Sequence, residues 1–193
     1  AKAGVDAVKF QKRDLESLYT KKILEDPNSA EWAFEYLIPI LEETELSKEE
    51  YQRIKEKCLE LELELIITPF DKKSVQFCSD LGVNAFKIAS ADMINYELIQ
   101  DCFSRNLPVI ISTGMWTEKE IRQSVEKYNS FGKNDFFMLL ANSTYPTPYE
   151  SINLEFLPVL SKIHYLCGYS GHERGTFIPI AAATLGARIV EKH

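Results

Sequence analysis

Seven apolar runs divide this chain: "DAVKFQ", "LELIITPF", "AFKIAS", "PVIIST", "FFMLLANS", "YLCGYS" and "RIVEKH". Their apolar residues fall largely on consecutive positions instead of strictly alternating, the pattern of strands buried on both faces. The stretches between them are amphipathic and begin and end as helices do. "SKEEYQRIKEKCLELE" opens with Ser47 and Glu50 at capping-box spacing. "TEKEIRQSVEKYNSFG" repeats the device with Thr117 and Glu120 and stops on Gly132. "DKKSVQFCSDLG" starts on Asp71 and stops on Gly82. Strand, helix, strand, helix, at spacings of roughly 20 to 30 residues, predicts βα units joined by crossovers. The first gap is longer. Lys12 to Glu45 reads as a long loop carrying one short helix around "SAEWAFEYLIPIL", and insertions after a strand's carboxyl end often build a site.

Parallel α/β chains of this kind form either an open doubly wound sheet or a closed barrel. The dinucleotide-binding open sheet carries a glycine-rich turn after its first strand. Here "KFQKRD" follows, without a glycine. Polar residues stand instead at the carboxyl ends of nearly every run, where a barrel keeps its active site. The expected fold class is therefore α/β, a (β/α)8 TIM barrel. "AKAGV" reads as a helix tail ending at Gly4, and the last run has no covering helix after it. The expectation is thus an incomplete barrel, its first strand and final helix outside the chain, with residues 1–193 a single barrel domain of a longer protein.

Composition adds limits. A chain of 193 residues suffices for one domain with a substantial core. Hydrophobic residues at 45% and charged residues at 26% fit a globular class. No apolar run approaches the roughly 20 residues that cross a bilayer, so no membrane partner is expected. The net charge of −7 argues against nucleic acid, while a locally basic pocket for a small anion remains compatible with it. Cys58, Cys78 and Cys102 fall in expected helices and Cys167 in an expected strand, with no CxxC pair. They read as buried free thiols of a reducing, cytoplasmic compartment.

Side chains two apart on a strand share a face. Lys9 and Gln11 therefore point one way, as do Ser170 with His172, and Glu191 with His193. Charged groups inside a barrel are costly unless paired, hydrated or bound to ligand, so three such pairs at carboxyl ends suggest a site. His172 and His193 would stand on consecutive strands about 4.8 Å apart, close enough to share one metal ion. With oxygen donors they would suit Mn²⁺, Fe²⁺, Co²⁺ or Zn²⁺. His164 has no such company and reads as a loop residue. Lys87 ends a strand, and Ser90 must already lie in the following loop for both to reach one ligand. Ser112, Thr113, Thr68, Ser143 and Ser170 complete a ring of donors, and Gly114 lets backbone come close to a bound group. Lysines and hydroxyls around a barrel mouth suit a phosphate and a carboxylate. Taken singly, each Ser or Thr is more often a cap or turn residue.

The motifs "KFQ", "TPFD", "FKIAS", "ISTGM", "YPTPYE", "GYSGHERG" and "GARIVEKH", in that order, resemble the sialic acid synthase family, which includes N-acetylneuraminate synthase and legionaminate, pseudaminate and spore-coat polysaccharide relatives. The resemblance covers nearly the whole chain. It implies a (β/α)8 barrel followed by a small antifreeze-like domain, a homodimer, and condensation of phosphoenolpyruvate with an N-acetylated amino sugar to a nine-carbon 2-keto acid. It also implies a divalent metal, Mn²⁺ first with Mg²⁺ or Co²⁺ as alternatives, held by His172 and His193. Carried over by motif, Lys9, Thr68, Lys87, Ser90, Ser112, Ser143 and Ser170 would contact phosphoenolpyruvate, and Gln11 and Tyr145 the sugar. Lys9, Lys87 and Glu191 are the expected catalytic groups. The family usually reads Ser-Asp-His where this chain has Ser170, Gly171 and His172, and Leu140 replaces a polar residue in "LANS". A diverged barrel that binds sugar or phosphate without turnover is the alternative.

Overall fold

The computed structural model describes residues 2–29, 34–133 and 135–192. All seven apolar runs are strands: β1 (Ala7–Lys12), β2 (Glu64–Pro69), β3 (Ala85–Ile88), β4 (Val109–Ser112), β5 (Phe137–Ala141), β6 (Cys167–Gly171) and β7 (Val190–Lys192). Their order in the sheet is the order of the sequence, β1 to β7, and the pairs β1·β2, β2·β3, β4·β5, β5·β6 and β6·β7 are parallel. Parallel strands in unbroken sequential order, with helices between them, have the (β/α)-barrel topology. A doubly wound sheet would reverse its order at a switch point.

The chain divides into two compact units, Ala1–Phe86 and Lys87–His193. In the first, the segment expected as a loop with one helix holds three helices, α1 (Leu15–Leu18), α2 (Lys21–Glu25) and α3 (Phe34–Thr44). Asp14 caps α1, accepting from Ser17 N at 2.9 Å, and the segment's far end is tied down where Glu45 meets Lys12 of β1 at 2.6 Å. Helix α4 (Lys48–Glu60) begins at Ser47 with both reciprocal bonds of a capping box. Helix α5 (Lys72–Leu81) is capped by Asp71 and ends on Gly82 at φ 76°, a left-handed conformation that favours glycine. Tyr51, Val75 and Cys78 of α4 and α5 are sealed with Leu65, Ile67 and Phe86 of the strands.

In the second unit, α6 (Tyr96–Ser104), α7 (Glu118–Ser130), α8 (Leu157–Ile163) and α9 (Phe177–Thr184) follow their strands. Thr117 and Glu120 form the expected capping box of α7, a device worth about 1 kcal/mol. All four residues of β3 and of β4 are buried, so both faces are covered as consecutive apolar positions require. Phe103, Tyr128 and Phe136 pack edge-on or tilted with centroids 5.2–6.0 Å apart, each pair contributing about 1 kcal/mol beyond its buried area. Phe136 also stacks on the ring of His164, centroids 4.1 Å apart. His164 does lie in the turn after α8, and it is a buried core residue there. All four cysteines are free and buried. Among the described residues no helix is long and apolar enough to cross a membrane.

Candidate active site

In the second unit, neighbouring strands deliver their carboxyl-terminal polar residues to one place. Parallel register sets Ser170 of β6 opposite Glu191 of β7, and the Ser170 hydroxyl donates to Glu191 Oε1 at 2.7 Å. The other carboxylate oxygen, Oε2, lies 3.9 Å from Lys87 Nζ. Lys87, the third residue of β3, donates to Ser112 Oγ of β4 at 2.6 Å and to the carbonyl of Ile88 at 3.1 Å. The result is a continuous run, Ser112, Lys87, Glu191, Ser170, across four strands. Lys87 is 3% exposed, Ser112 4% and Ser170 2%. A buried ammonium is tolerated there because hydroxyl, carbonyl and carboxylate surround it.

A second group lies over Gly114. A Cβ at that glycine would sit 2.7 Å from Ser143 Oγ and 3.0 Å from Ser90 Oγ, so both hydroxyls converge on backbone that carries no side chain. Ser90 has left β3 and opens a single 3₁₀ turn, the loop position expected of it. Its carbonyl accepts from Trp116 Nε1 at 2.6 Å, which fixes the turn. Trp116 carried no signal of this role in the sequence, since its partner lies 26 residues away.

The third group surrounds His172. Its Nδ1 lies 2.5 Å from the carbonyl of Asn142. A carbonyl only accepts, so Nδ1 carries the proton and Nε2 offers a lone pair. The Tyr145 hydroxyl stands 2.7 Å from that Nε2, and its ring stacks on the imidazole with centroids 3.8 Å apart. Burial raises the Tyr145 phenol's pKa above its ordinary value, and the charge of Glu191 raises it further, which keeps the hydroxyl a donor. Asn142 is held in turn by its own side chain, which donates to Ser151 O at 3.0 Å and accepts from Thr144 N at 2.9 Å. Asn142 is a residue that sequence reasoning missed, because it acts on His172 through a main-chain carbonyl that any residue type supplies.

One nitrogen of the His172 ring is tied to a carbonyl, as in metal-ligating histidines, and the other is engaged with the Tyr145 hydroxyl, which a metal would displace. Its expected companion, His193, lies outside the described residues. Among those described, no three His, Cys, Asp or Glu side chains gather as a metal cluster. A cavity of about 290 Å³ in this unit is lined by Thr113, Trp116, Leu140, Asn142, Phe156 and Tyr169 among others and not by the Lys87 run.

Lys9, Gln11 and Thr68 belong to the first unit. Gln11 and Thr68 are register partners on β1 and β2, and Lys9 stands opposite Ile66. Thr68 is buried, and the exposed Gln11 accepts from Arg13 Nη1 at 2.7 Å.

A lysine, hydroxyls and a carboxylate gathered at the carboxyl ends of parallel strands stand where barrel enzymes keep their active sites. Consistent with that class, the chain matches the NeuB family over residues 1–193 and belongs to it. It is 36% identical to an N-acetylneuraminate-9-phosphate synthase from Drosophila melanogaster, covering 100% of this chain and 52% of that protein. It is 35% identical to an N,N'-diacetyllegionaminic acid synthase from Legionella pneumophila, over 99% of this chain and 56% of that one. Among solved structures, an N-acetylneuraminic acid synthetase from Leptospira borgpetersenii in complex with citrate superposes with a TM-score of 0.85 at 28% identity, covering 100% of this chain and 63% of that one. The chain thus spans about half the length of these curated relatives.

Proposed function

We propose that this chain is the catalytic part of a synthase that joins phosphoenolpyruvate to an N-acetylated amino sugar, giving a nine-carbon 2-keto sugar acid and phosphate. The observation that carries this reading is the buried run from Ser112 through Lys87 and Glu191 to Ser170. A fixed ammonium flanked by hydroxyls suits an enolpyruvate anion, and its value rises where water is excluded. Lys87 and Ser112 would hold one anionic group of phosphoenolpyruvate, and the hydroxyls of Ser90 and Ser143 over Gly114 another.

The methylene carbon of phosphoenolpyruvate attacks the aldehyde carbon of the open-chain sugar, using the electron pair of its own double bond. The carbon bearing phosphate is left cationic, and water adds there. Glu191 is the carboxylate beside Lys87 and Ser170, placed to take the proton that water loses. Glu191 passes that proton on to the alkoxide left on the former aldehyde carbon, and the tetrahedral centre then breaks its bond to the phosphate oxygen, its hydroxyl proton leaving with the phosphate as the ketone forms. A divalent metal, Mn²⁺ with Mg²⁺ or Co²⁺ as alternatives, would be held by His172 Nε2 and, by motif, His193. When bound it would polarise the aldehyde oxygen as a Lewis acid.

The test is phosphate release from phosphoenolpyruvate, assayed with and without N-acetylmannosamine and with and without added Mn²⁺. Deoxygenated diamino sugars form a second substrate series. Release that requires a sugar of either series and the metal is expected. Tight phosphoenolpyruvate binding with no release under any combination would favour the non-catalytic barrel.

A further inference from the structure

The turn after β6 is also held from the opposite side of the sheet. Alternation along β6 and β7 puts Tyr169, Gly171 and Lys192 on the face away from Ser170 and Glu191. Glu173 turns back onto that face, and its side chain is 0% exposed. Its Oε2 accepts from the Tyr169 hydroxyl at 2.8 Å. Its Oε1 lies 3.4 Å from Lys192 Nζ and has no hydrogen-bond partner. The same ammonium donates to the main-chain carbonyl of Glu173, so one lysine of β7 grips this residue twice.

Gly171 makes the arrangement possible. A Cβ there would stand 2.6 Å from Glu173 Oε2, 2.8 Å from Oε1 and 2.7 Å from Tyr169 Cε1. The carboxylate fills the space in which a side chain at 171 would begin. Sealing a carboxylate against a single ion pair and one phenol is a costly way to fill a gap, so the arrangement calls for a reason beyond packing. Position supplies one. Glu173 adjoins His172, and Lys192 adjoins Glu191.

We infer that Glu173 and Lys192 are positioning residues: with Tyr169 they clamp the turn that carries His172 to the strand that carries Glu191, and Gly171 is the vacancy that admits the clamp. This rests on the proposed reaction only in that the reaction uses His172 and Glu191. The clamp itself is a statement about where the His172 ring is held.

Three variants test it in the protein that carries this chain: Glu173→Gln, which keeps shape and loses charge; Lys192→Met, which removes both grips; and Gly171→Ala, whose methyl evicts the carboxylate. Each is expected to lower kcat about tenfold or more, as loss of a group that orients a ligating side chain does, with KM for phosphoenolpyruvate held within about twofold. The ¹⁵N ring resonances of His172 should move in all three while those of His164, bonded to Phe136 O elsewhere, stay in place. If Gly171→Ala loses its thermal transition, Lys192→Met carries the test, since that side chain is 30% exposed. Unmoved His172 resonances with kcat retained would reduce the cluster to packing and overturn the clamp. A wild-type protein that releases no phosphate would instead remove the proposed reaction, and the ring resonances would still decide the clamp.

Discussion

The ammonium of Lys87 lies 2.6 Å from the hydroxyl of Ser112, at the carboxyl ends of adjacent elements of the second unit, and neither side chain is more than 4% exposed. A lysine held this firmly has already lost its rotamer freedom and most of its water. An arriving anion therefore meets a charge that needs no reorganisation.

Lys87→Met tests that directly. The substitution keeps the apolar stem and removes the charge, while Glu191 retains its bond from Ser170. Truncating one partner of a buried charged contact costs about 3 kcal/mol, so KM for phosphoenolpyruvate should rise about a hundredfold. Ser112→Ala, which removes one neutral hydroxyl, should cost about 1 kcal/mol, or roughly fivefold. Steady-state kinetics with calorimetric titration of phosphoenolpyruvate measure both. Unchanged affinity in Lys87→Met would place the anion elsewhere.

Gly114 offers a second lever. A Cβ there would press on Ser143 Oγ at 2.7 Å, Ser90 Oγ at 3.0 Å and the carbonyl of Ala141 at 3.3 Å. Ser143 is exposed and can swing aside, whereas the main chain of Ser90 is held by Trp116. Gly114→Ala should therefore weaken phosphoenolpyruvate binding about tenfold and cost the fold about 1 kcal/mol, the low end for overpacking. Adding Ser143→Gly removes the nearest obstruction and should recover part of the stability loss, while the missing hydroxyl keeps phosphoenolpyruvate binding weak; a double-mutant cycle on stability reads the coupling. Strictly additive effects would show that the two residues do not share a space.

The strands and capped helices were legible because their signals are local. An apolar run, a Thr117 three residues before Glu120, or a Gly82 after the last turn needs no distant partner to act. The insertion after β1 is less legible. Helices of four and five residues, such as Leu15–Leu18 and Lys21–Glu25, are too short to show a period, and their stability comes from anchors such as Glu45 on Lys12. The shared placement of Ser170 and Glu191 is legible because strand alternation assigns polar residues to a face, whereas Lys87 and Ser112 stand out only as a lysine and a hydroxyl at the carboxyl ends of apolar runs. Asn142 could not, because it works through its carbonyl. Glu173 left one trace: a glycine at the end of a buried strand, two residues before an acid, marks a place where something comes close. His164 looked solitary only because its partner, Phe136, is 28 residues away in the chain.

That histidine gives the protein a pH dependence separate from any chemistry at the site. His164 is 6% exposed, lies flat on Phe136, and has Nε2 2.5 Å from the Phe136 carbonyl. Burial pushes its pKa below the ordinary 6.5, and the hydrogen bond to Phe136 O only partly opposes this. The folded protein thus keeps a neutral ring under conditions where the unfolded chain takes up a proton. Below about pH 6.5 the unfolded state binds the extra proton, so stability falls as pH drops from there towards the lowered folded value, and this contribution is fully present above pH 6.5. Urea unfolding should accordingly show a lower midpoint at about pH 5.5 than at about pH 7.5. His164→Phe preserves the stacked ring but leaves the Phe136 carbonyl without its donor. It should be less stable at neutral pH by about 1–3 kcal/mol and should lose less on acidification than the wild type. Wild-type and variant curves that run parallel through this interval would mean that the imidazole protonates equally well in both states, and burial would not be the force acting on it.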